Sequence, residues 1–354
     1  MDEKLRKKPD YKLTWQEHIR KRPGMYLGQI NHKGFADRLK VIITQICEMS
    51  NSDLLKIIFK NQNSGILIFN NIRNNIQEDL AIINLNRNPI KMDLPVLNAL
   101  SSKFSLSFIG KELITQEFRF GNTDSKIGEQ EIQCREIVIE YDLDEIIWGN
   151  DFSWNSNYLS YELREFCYLN PKIKFEITHN NEQESITNIY HFKNGLIDRL
   201  EIEILNAIGP CYFKQSINYK TKNFDLQIAF AIRQYNVDHN FIRTYVNNEL
   251  TPENGTHLDG FLKGLIYGAT KYIKVFNLVE KYKISKKRIK EGLVCMINIR
   301  MEDAIYSGSV KNRLASSEIL EPIAEHVAER FYKSLSSNNE ITQKYIDKFE
   351  KRKV

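Results

Sequence analysis

The sequence, 354 residues long, lacks most of what marks a membrane, secreted or metal-stapled chain. No run of 18 or more apolar residues occurs, so no membrane span is expected. The N-terminal stretch MDEKLRKKPDYKL is charged, has no apolar centre, and does not read as a secretory signal. Cysteine is sparse and scattered: Cys47, Cys134, Cys167, Cys211 and Cys295 form no CxxC pair and have no histidine at ligand spacing. That pattern predicts reduced, buried thiols in a cytoplasmic protein and argues against a structural zinc. Glycine is missing altogether between Gly65 and Gly110. An excess of one charge is also missing: the net charge is +5 and the pI near 8.7, which permits nucleic-acid contact without demanding it and speaks against a DNA mimic. Neither an internal repeat nor a low-complexity block is present.

What is present is a globular mixture, 42% hydrophobic and 27% charged, in a chain too long for one core. Apolar residues at helical spacing predict a helix over 37–51. LLKIIFK and SGILIFNN (54–71) read as a hairpin around NQNSG, and 103–121 as a second one turning at IGKE. A strand opens at 136, an amphipathic helix covers 158–170 and stops before Pro171, and KIKFEITH follows as a strand. Beyond Gly209-Pro210, FDLQIAFAIRQ and HNFIRTYVNN read as strands, with a long helix starting near His257. Leu293, Cys295, Ile297 and Ile299 alternate onto one face of a further strand. A helix covers 317–335, and the last twenty residues are expected as a loose, polar terminal helix.

Several of these segments carry recognisable wording. IRKRPGMYLG (19–28) resembles the block that opens the B chains of bacterial type IIA topoisomerases, DNA gyrase and topoisomerase IV. YVNNELTPENGTHLDGF (245–261) resembles their Tyr-x-Asn to Gly-Gly-Thr-His segment, with Asn254 in place of the first glycine. EGLVCMINIRMEDAIYSGSVKNRLASSEI (291–319) resembles a third block, and 94–104 and 163–175 match two weaker ones, all in the family's order. The resemblance covers about 1–335 and implies an α+β fold. An α/β sandwich of the gyrase, Hsp90, histidine-kinase and MutL type is followed by a transducer domain of ribosomal-S5-domain-2-like fold with a left-handed βαβ element. The division it implies is an N-terminal arm (1–18), an ATPase-like sandwich (19–208), the transducer (209–335) and a helical tail (336–354).

The same resemblance shows where the chemistry has been replaced. Hydrolysis of ATP needs a general base, a magnesium ligand, an adenine reader and a glycine-rich lid whose N–H groups approach the phosphates. In the family the first two lie on one helix as Glu-x-x-x-Asn. Laid on the 37–51 helix, this pattern meets Gln45 and Met49. An amide takes no proton at neutral pH, and a thioether is a poor ligand for hard Mg2+. Other registers pair Val41 with Gln45, or Glu48 with Ser52. At the adenine-reading Asp-x-Gly-x-Gly stands Asn70-Asn71-Ile72-Arg73-Asn74, with an amide for the aspartate and neither glycine. EDLAIINLNRNPIKMD (78–93) stands where the family has its long glycine-rich lid. In the transducer, Lys311 matches the lysine that reaches the γ-phosphate, and Ser309 replaces the glutamine beside it. Gln45, Met49, Asn70, Ser309 and Lys311 are therefore read as a vestigial site. Loss of a base alone costs about 10²–10⁴ in rate, so no turnover and no bound cofactor are expected.

Eight basic residues crowd 271–290. Such a run reads as a solvated face. The family's transducer lines a DNA-holding cavity, so Lys271, Lys274, Lys286, Lys287, Arg288 and Lys290 are also candidate phosphate contacts. Arg20, Lys21 and Arg22 suit either a solvated arm or an anion. His257 reads as structural, and Gly260, Gly264 and Gly268, four residues apart, read as a close helix contact. No Toprim pattern follows the transducer, so no DNA cleavage is expected from this chain alone. The leading expectation is a cytoplasmic gyrase B-like pseudo-ATPase acting as a DNA-clamp or protein-interaction module, paired with itself or with a topoisomerase B-type subunit. The alternative is the ATP-binding subunit of a working type II topoisomerase, using ATP and Mg2+, with Toprim and cleavage functions supplied elsewhere.

Overall fold

A computed structural model describes residues 13–72, 93–123, 134–180, 185–205, 210–234 and 241–350. The chain divides into two compact units, Met1–Phe192 and Lys193–Val354.

The first unit opens with α1 (Trp15–Lys21), which starts with a capping box. The Thr14 hydroxyl accepts from the Glu17 N–H at 3.2 Å, and the Glu17 carboxylate accepts from the Thr14 N–H at 2.9 Å. The segment expected as an arm thus ends in helix; its first twelve residues lie outside the described ones. After α2 (Gly24–Leu27) comes α3 (His32–Ser50), which begins five residues earlier than the apolar spacing predicts. The reason is a cap: Asn31 Oδ1 accepts from the N–H groups of Lys33 and Gly34, at 3.0 and 3.1 Å. Gly34 hides that start in the sequence, and only glycine fits there, because a Cβ would sit 1.9 Å from the Gln29 carbonyl oxygen.

Both expected hairpins form, as β1 (Leu54–Phe59) with β2 (Ser64–Asn70) and β3 (Ser101–Gly110) with β4 (Leu113–Phe118). Between them lies α4 (Leu94–Ala99). β5 (Cys134–Leu143), α5 (Glu145–Trp148), α6 (Ser156–Leu169), β6 (Lys174–Asn180) and β7 (Ser185–Tyr190) complete the unit. The seven strands form one sheet in the order β4-β3-β5-β2-β1-β6-β7, parallel only between β1 and β6. Burial alternates along β1, β2, β3, β5 and β6, so one face is apolar. Onto the same core α3 contributes Phe35, Leu39, Ile42, Ile43 and Ile46, and α6 contributes Leu159, Leu163 and Phe166.

The second unit starts with α7 (Leu196–Leu205), followed by β8 (Cys211–Lys220), β9 (Asp225–Arg233), β10 (Phe241–Val246) and β11 (Glu249–Leu250). Then come α8 (Thr256–Val275), α9 (Lys286–Lys290), β12 (Leu293–Arg300), α10 (Leu320–Ser337) and α11 (Asn339–Asp347). The sheet order is β11-β10-β12-β9-β8. β10 and β12 are parallel, so α8 lies in a β-α-β crossover. Leu293, Cys295, Ile297 and Ile299 do share one core face. Val294 and Met296 on the opposite face are just as buried, because α7 packs against β9 and β12. The division expected at 208/209 therefore falls after a helix that belongs to the second sheet. The expectation of a loose terminal helix is also corrected: Tyr345, Ile346 and Phe349 are fully buried in the second core.

α8 and α10 meet along the glycine ridge. A Cβ on Gly260 would lie 2.8 Å from the Leu320 carbonyl oxygen, and one on Gly268 would lie 2.8 Å from that of Ala328. At Gly264 it would lie 2.6 Å from the Val327 Cβ. Spacing of four puts all three on one helical ridge. Gly264→Ala should cost about 1–3 kcal/mol in overpacking, against about 1 kcal/mol gained in helix propensity. The expected outcome is a lower melting temperature, whereas Gly308→Ala, where no atom lies within 4 Å, should leave it unchanged. Equal melting temperatures for the two variants would remove the ridge from the account.

Candidate functional site

In the first unit the residues read as vestigial lie on α3 and at the end of β2. Gln45 is half-buried and turned towards Asp93, just ahead of α4. Its amide nitrogen donates to Asp93 Oδ2, and its amide oxygen accepts from the Asp93 N–H, each at 3.5 Å. Two turns earlier on the same face, Arg38 forms an ion pair with Asp93 and donates to the Tyr26 carbonyl. Met49, one turn after Gln45, packs against the apolar core. The carboxylates of α3 are Asp37 and Glu48, and both are exposed; Asp37 accepts from the Tyr158 hydroxyl at 2.8 Å. Thus the half-buried polar positions of this helix that face Asp93 carry an amide and a guanidinium. At the end of β2, the Asn70 carbonyl accepts from Ser52 Oγ at 2.6 Å. Asn70 Oδ1 is buried with no hydrogen-bond partner among the described residues. Arg73, Asn74 and the stretch read as a lid, except Asp93, lie outside the described residues.

In the second unit the two family-like blocks interlock. Asn254 holds a left-handed φ of 61°, a conformation asparagine tolerates nearly as well as the glycine it replaces. Its side-chain oxygen accepts from the Thr244 hydroxyl at 3.2 Å. The Leu314 N–H donates to the Asn254 carbonyl and the Thr256 N–H to the Leu314 carbonyl, both at 3.0 Å. Gly255 between them, at φ 143°, leaves only 2.2 Å from a would-be Cβ to the Leu314 oxygen. This lock sets the loop that carries Ser309 and Lys311, closed at its base by Ser307 N–H to the Arg313 carbonyl at 3.0 Å. Both side chains are exposed, and the Lys311 Nζ lies 5.8 Å from the Tyr306 ring centre. Lys311 itself has φ 56°. His257 opens α8 fully buried, with neither ring nitrogen paired among the described residues. Burial pushes its pKa down to about 4, so the ring is neutral near pH 7 and suited to packing rather than proton transfer.

The candidate DNA contacts do not form one patch. Lys286 reaches Asp259 in the first turn of α8 at 3.5 Å, whereas Lys271 sits over the Tyr332 ring at 4.6 Å and Lys274 lies in the last turn. Fifteen residues of helix, about 22 Å, separate Asp259 from Lys274. Arg288 is committed internally, donating to the carbonyls of Lys348 and Glu350 at 2.7 and 3.1 Å. The same clasp includes Lys283 N–H to the Phe349 carbonyl at 3.0 Å and the Tyr282 hydroxyl to Asp347 at 2.8 Å. Lys348 lies beneath it, its Nζ donating to the Glu291 carbonyl at 3.4 Å, with its pKa pulled down to about 8 by burial. The sequence holds a signal for this clasp: Ile341, Tyr345, Ile346 and Phe349 follow helical spacing. The Arg38–Asp93 pair has none.

A cavity of about 520 Å3 lies elsewhere, on the outer face of the first sheet, among Lys60, Lys103, Arg119, Glu117, Glu140 and Asp142. Its charges balance, and no vestigial residue lines it. Among the described residues no group of His, Cys, Asp or Glu has a metal-holding arrangement, and no helix is long and apolar enough to cross a membrane.

Residues 172–353, more than half of the chain, match the sequence profile of DNA gyrase B. The chain belongs to the DNA gyrase B family. The gyrase B protein of Clostridium acetobutylicum is 29% identical over 229 residues, which cover 63% of this chain and 34% of the relative. The chain thus spans about a third of the length of the curated relatives it matches. The fold is that of the 43K ATPase domain of Thermus thermophilus gyrase B, solved with an aminocoumarin (TM-score 0.78, 20% identity, 94% of this chain and 93% of that one). The ATP-binding domain of Francisella tularensis topoisomerase IV, solved with a small-molecule inhibitor, is similar (TM-score 0.75, 18% identity, 94% and 95%). The sandwich and the second, α+β unit of this gyrase B relative are therefore the family's own architecture.

The buried histidine of the gyrase B lock makes stability depend on pH. His257 titrates near 4 when folded and near 6.5 when unfolded, so the unfolded chain binds the extra proton between those values. Its contribution is therefore lost as pH falls below about 6.5, reaching about 3 kcal/mol near pH 4. His257→Leu should flatten the fall in urea midpoint between pH 7 and pH 4.5; an unchanged pH profile would refute the assignment.

Proposed function

We propose that this gyrase B-type unit does not turn over ATP and works as a cytoplasmic DNA-clamp or protein-interaction module, pairing with a second copy or with a B-type topoisomerase partner. The observation that carries the reading is Gln45. It stands where the family resemblance asks for a general base, and its amide engages Asp93 from both sides. Two further features support it. The exposed carboxylates Asp37 and Glu48 are the only ones on α3, and Asn70 presents an amide where an aspartate reads adenine. A second reading, a working ATP-binding subunit, draws on the exposed Lys311, whose family counterpart reaches the γ-phosphate.

Nucleotide binding separates the two readings. A ligand at 100 times its Kd stabilises a fold by about 2.7 kcal/mol. We expect millimolar ATP with Mg2+ to leave the melting temperature unchanged and to yield no phosphate. A magnesium-dependent rise would favour the working enzyme.

The clamp half of the reading rests on lysines with no ion-pair partner among the described residues, Lys274 and Lys287, together with Lys290. If each of the three neutralises about one phosphate, log K should fall with log salt at a slope of about −2.7. Reversing Lys274 and Lys287 to glutamate should take about 1.8 from that slope. Arg288 is left in place because its loss would open the clasp. Duplex binding with an unaltered slope in the double variant returns these lysines to a solvated face.

A further inference from the structure

The far end of α8 carries an apolar knob that the second core does not use. Val275 is 56% exposed, Phe276 47% and Val279 45%. They cluster in five residues because the helix stops abruptly. Asn277 turns left-handed at φ 56°, and the Leu278 N–H closes back on the Ile273 carbonyl at 2.8 Å. Leu278 packs against the core, and the Phe276 ring stands 4.5 Å from that of Tyr272. The knob is therefore held in place rather than draped over the surface. Its rim is largely basic: over 271–283 stand Lys271, Lys274, Lys281 and Lys283 against Glu280, with Lys281 paired to Glu350 at 3.7 Å.

We propose that this knob is a docking site for an acidic, amphipathic segment of another protein, one that presents leucine-like side chains along one helical face and carboxylates beside them. Apolar area of this kind is what such a segment covers when its anchors lie at positions i, i+3, i+4 and i+7. The lysine rim supplies complementary charge, which steers encounter and rejects basic partners. A second copy of this chain is a poor occupant, since it would bring two patches of the same sign together. A nucleic-acid backbone would engage the lysines and leave Val275, Phe276 and Val279 in water. Three side chains are also too few to hold a membrane surface by themselves. The proposal rests on the protein-interaction half of the reading above, and it does not depend on whether ATP binds.

The test uses the full chain and a fluorescein-labelled synthetic helix with leucine at i, i+3, i+4 and i+7 and glutamate at most other positions. Fluorescence polarisation should give a Kd below about 1 mM. Phe276→Ser with Val279→Ser should weaken it about tenfold or more, as removal of central apolar anchors does. Lys274→Glu should weaken it too, and both variants should keep the wild-type melting temperature because the altered side chains are exposed. No binding, equal binding of a peptide with the same residues shuffled, or full affinity in the serine variant would overturn the proposal. So would Phe276-dependent binding of a short DNA duplex or of anionic lipid vesicles. Melting temperature with and without ATP and Mg2+ is read in the same samples, so failure of this site and failure of the nucleotide reading are separate results.

Discussion

A sheet with one apolar face has to be covered, and in the first unit that duty falls largely on α3. Its inner residues, Phe35 to Ile46, close the core regardless of any ligand. The chemistry of a gyrase B ATPase would have to be added on the positions left over. In this chain those positions hold Arg38, Gln45 and Met49, and the first two are turned to Asp93. Covering the sheet requires only apolar residues of about the right size, whereas hydrolysis requires particular groups at particular places. A chain can therefore keep the fold while its site residues change.

The second unit shows the same economy with its charges. Of the basic residues in 271–290, Arg288 closes a clasp on main-chain carbonyls, Lys286 reaches Asp259 and Lys271 lies over an aromatic ring. What reads as an electrostatic footprint in the sequence is in good part the stitching of α8, α9 and the terminal helix. The lock between Asn254 and Leu314 has the same flavour. The segment that resembles the family's Gly-Gly-Thr-His block serves here as a backbone junction, and asparagine stands in the glycine's place because it also accepts a left-handed turn.

Legibility from sequence follows the range of the interactions involved. Both hairpins, the helix ending before Pro171 and the alternating β12 strand depend on neighbours along the chain, and each is legible where it lies. The start of α3 is hidden because a capping asparagine and a tightly packed Gly34 carry no apolar signal. The unit boundary differs from the expected one because α7 joins the second sheet through contacts with strands far along the chain. The terminal helix reads as loose because its polar residues outnumber its apolar ones, although the four apolar positions share a face. At the candidate site the residue identities are legible, but the engagement of Asp93 by Arg38 and Gln45 is not, since it links positions 48 residues apart or more.

The clasp has a consequence for how the protein is made. Translation delivers the chain from one end, and domains tend to fold as units, the earlier one first. The first unit has all its described strands once Tyr190 has been added. The second cannot close its core until Tyr345 and Phe349 have followed, because those rings fill it. Throughout the synthesis of α8, β12 and α10, the apolar face that Tyr345 and Phe349 will cover stays open to water and to chaperones, and the arrival of those two rings decides when that exposure ends.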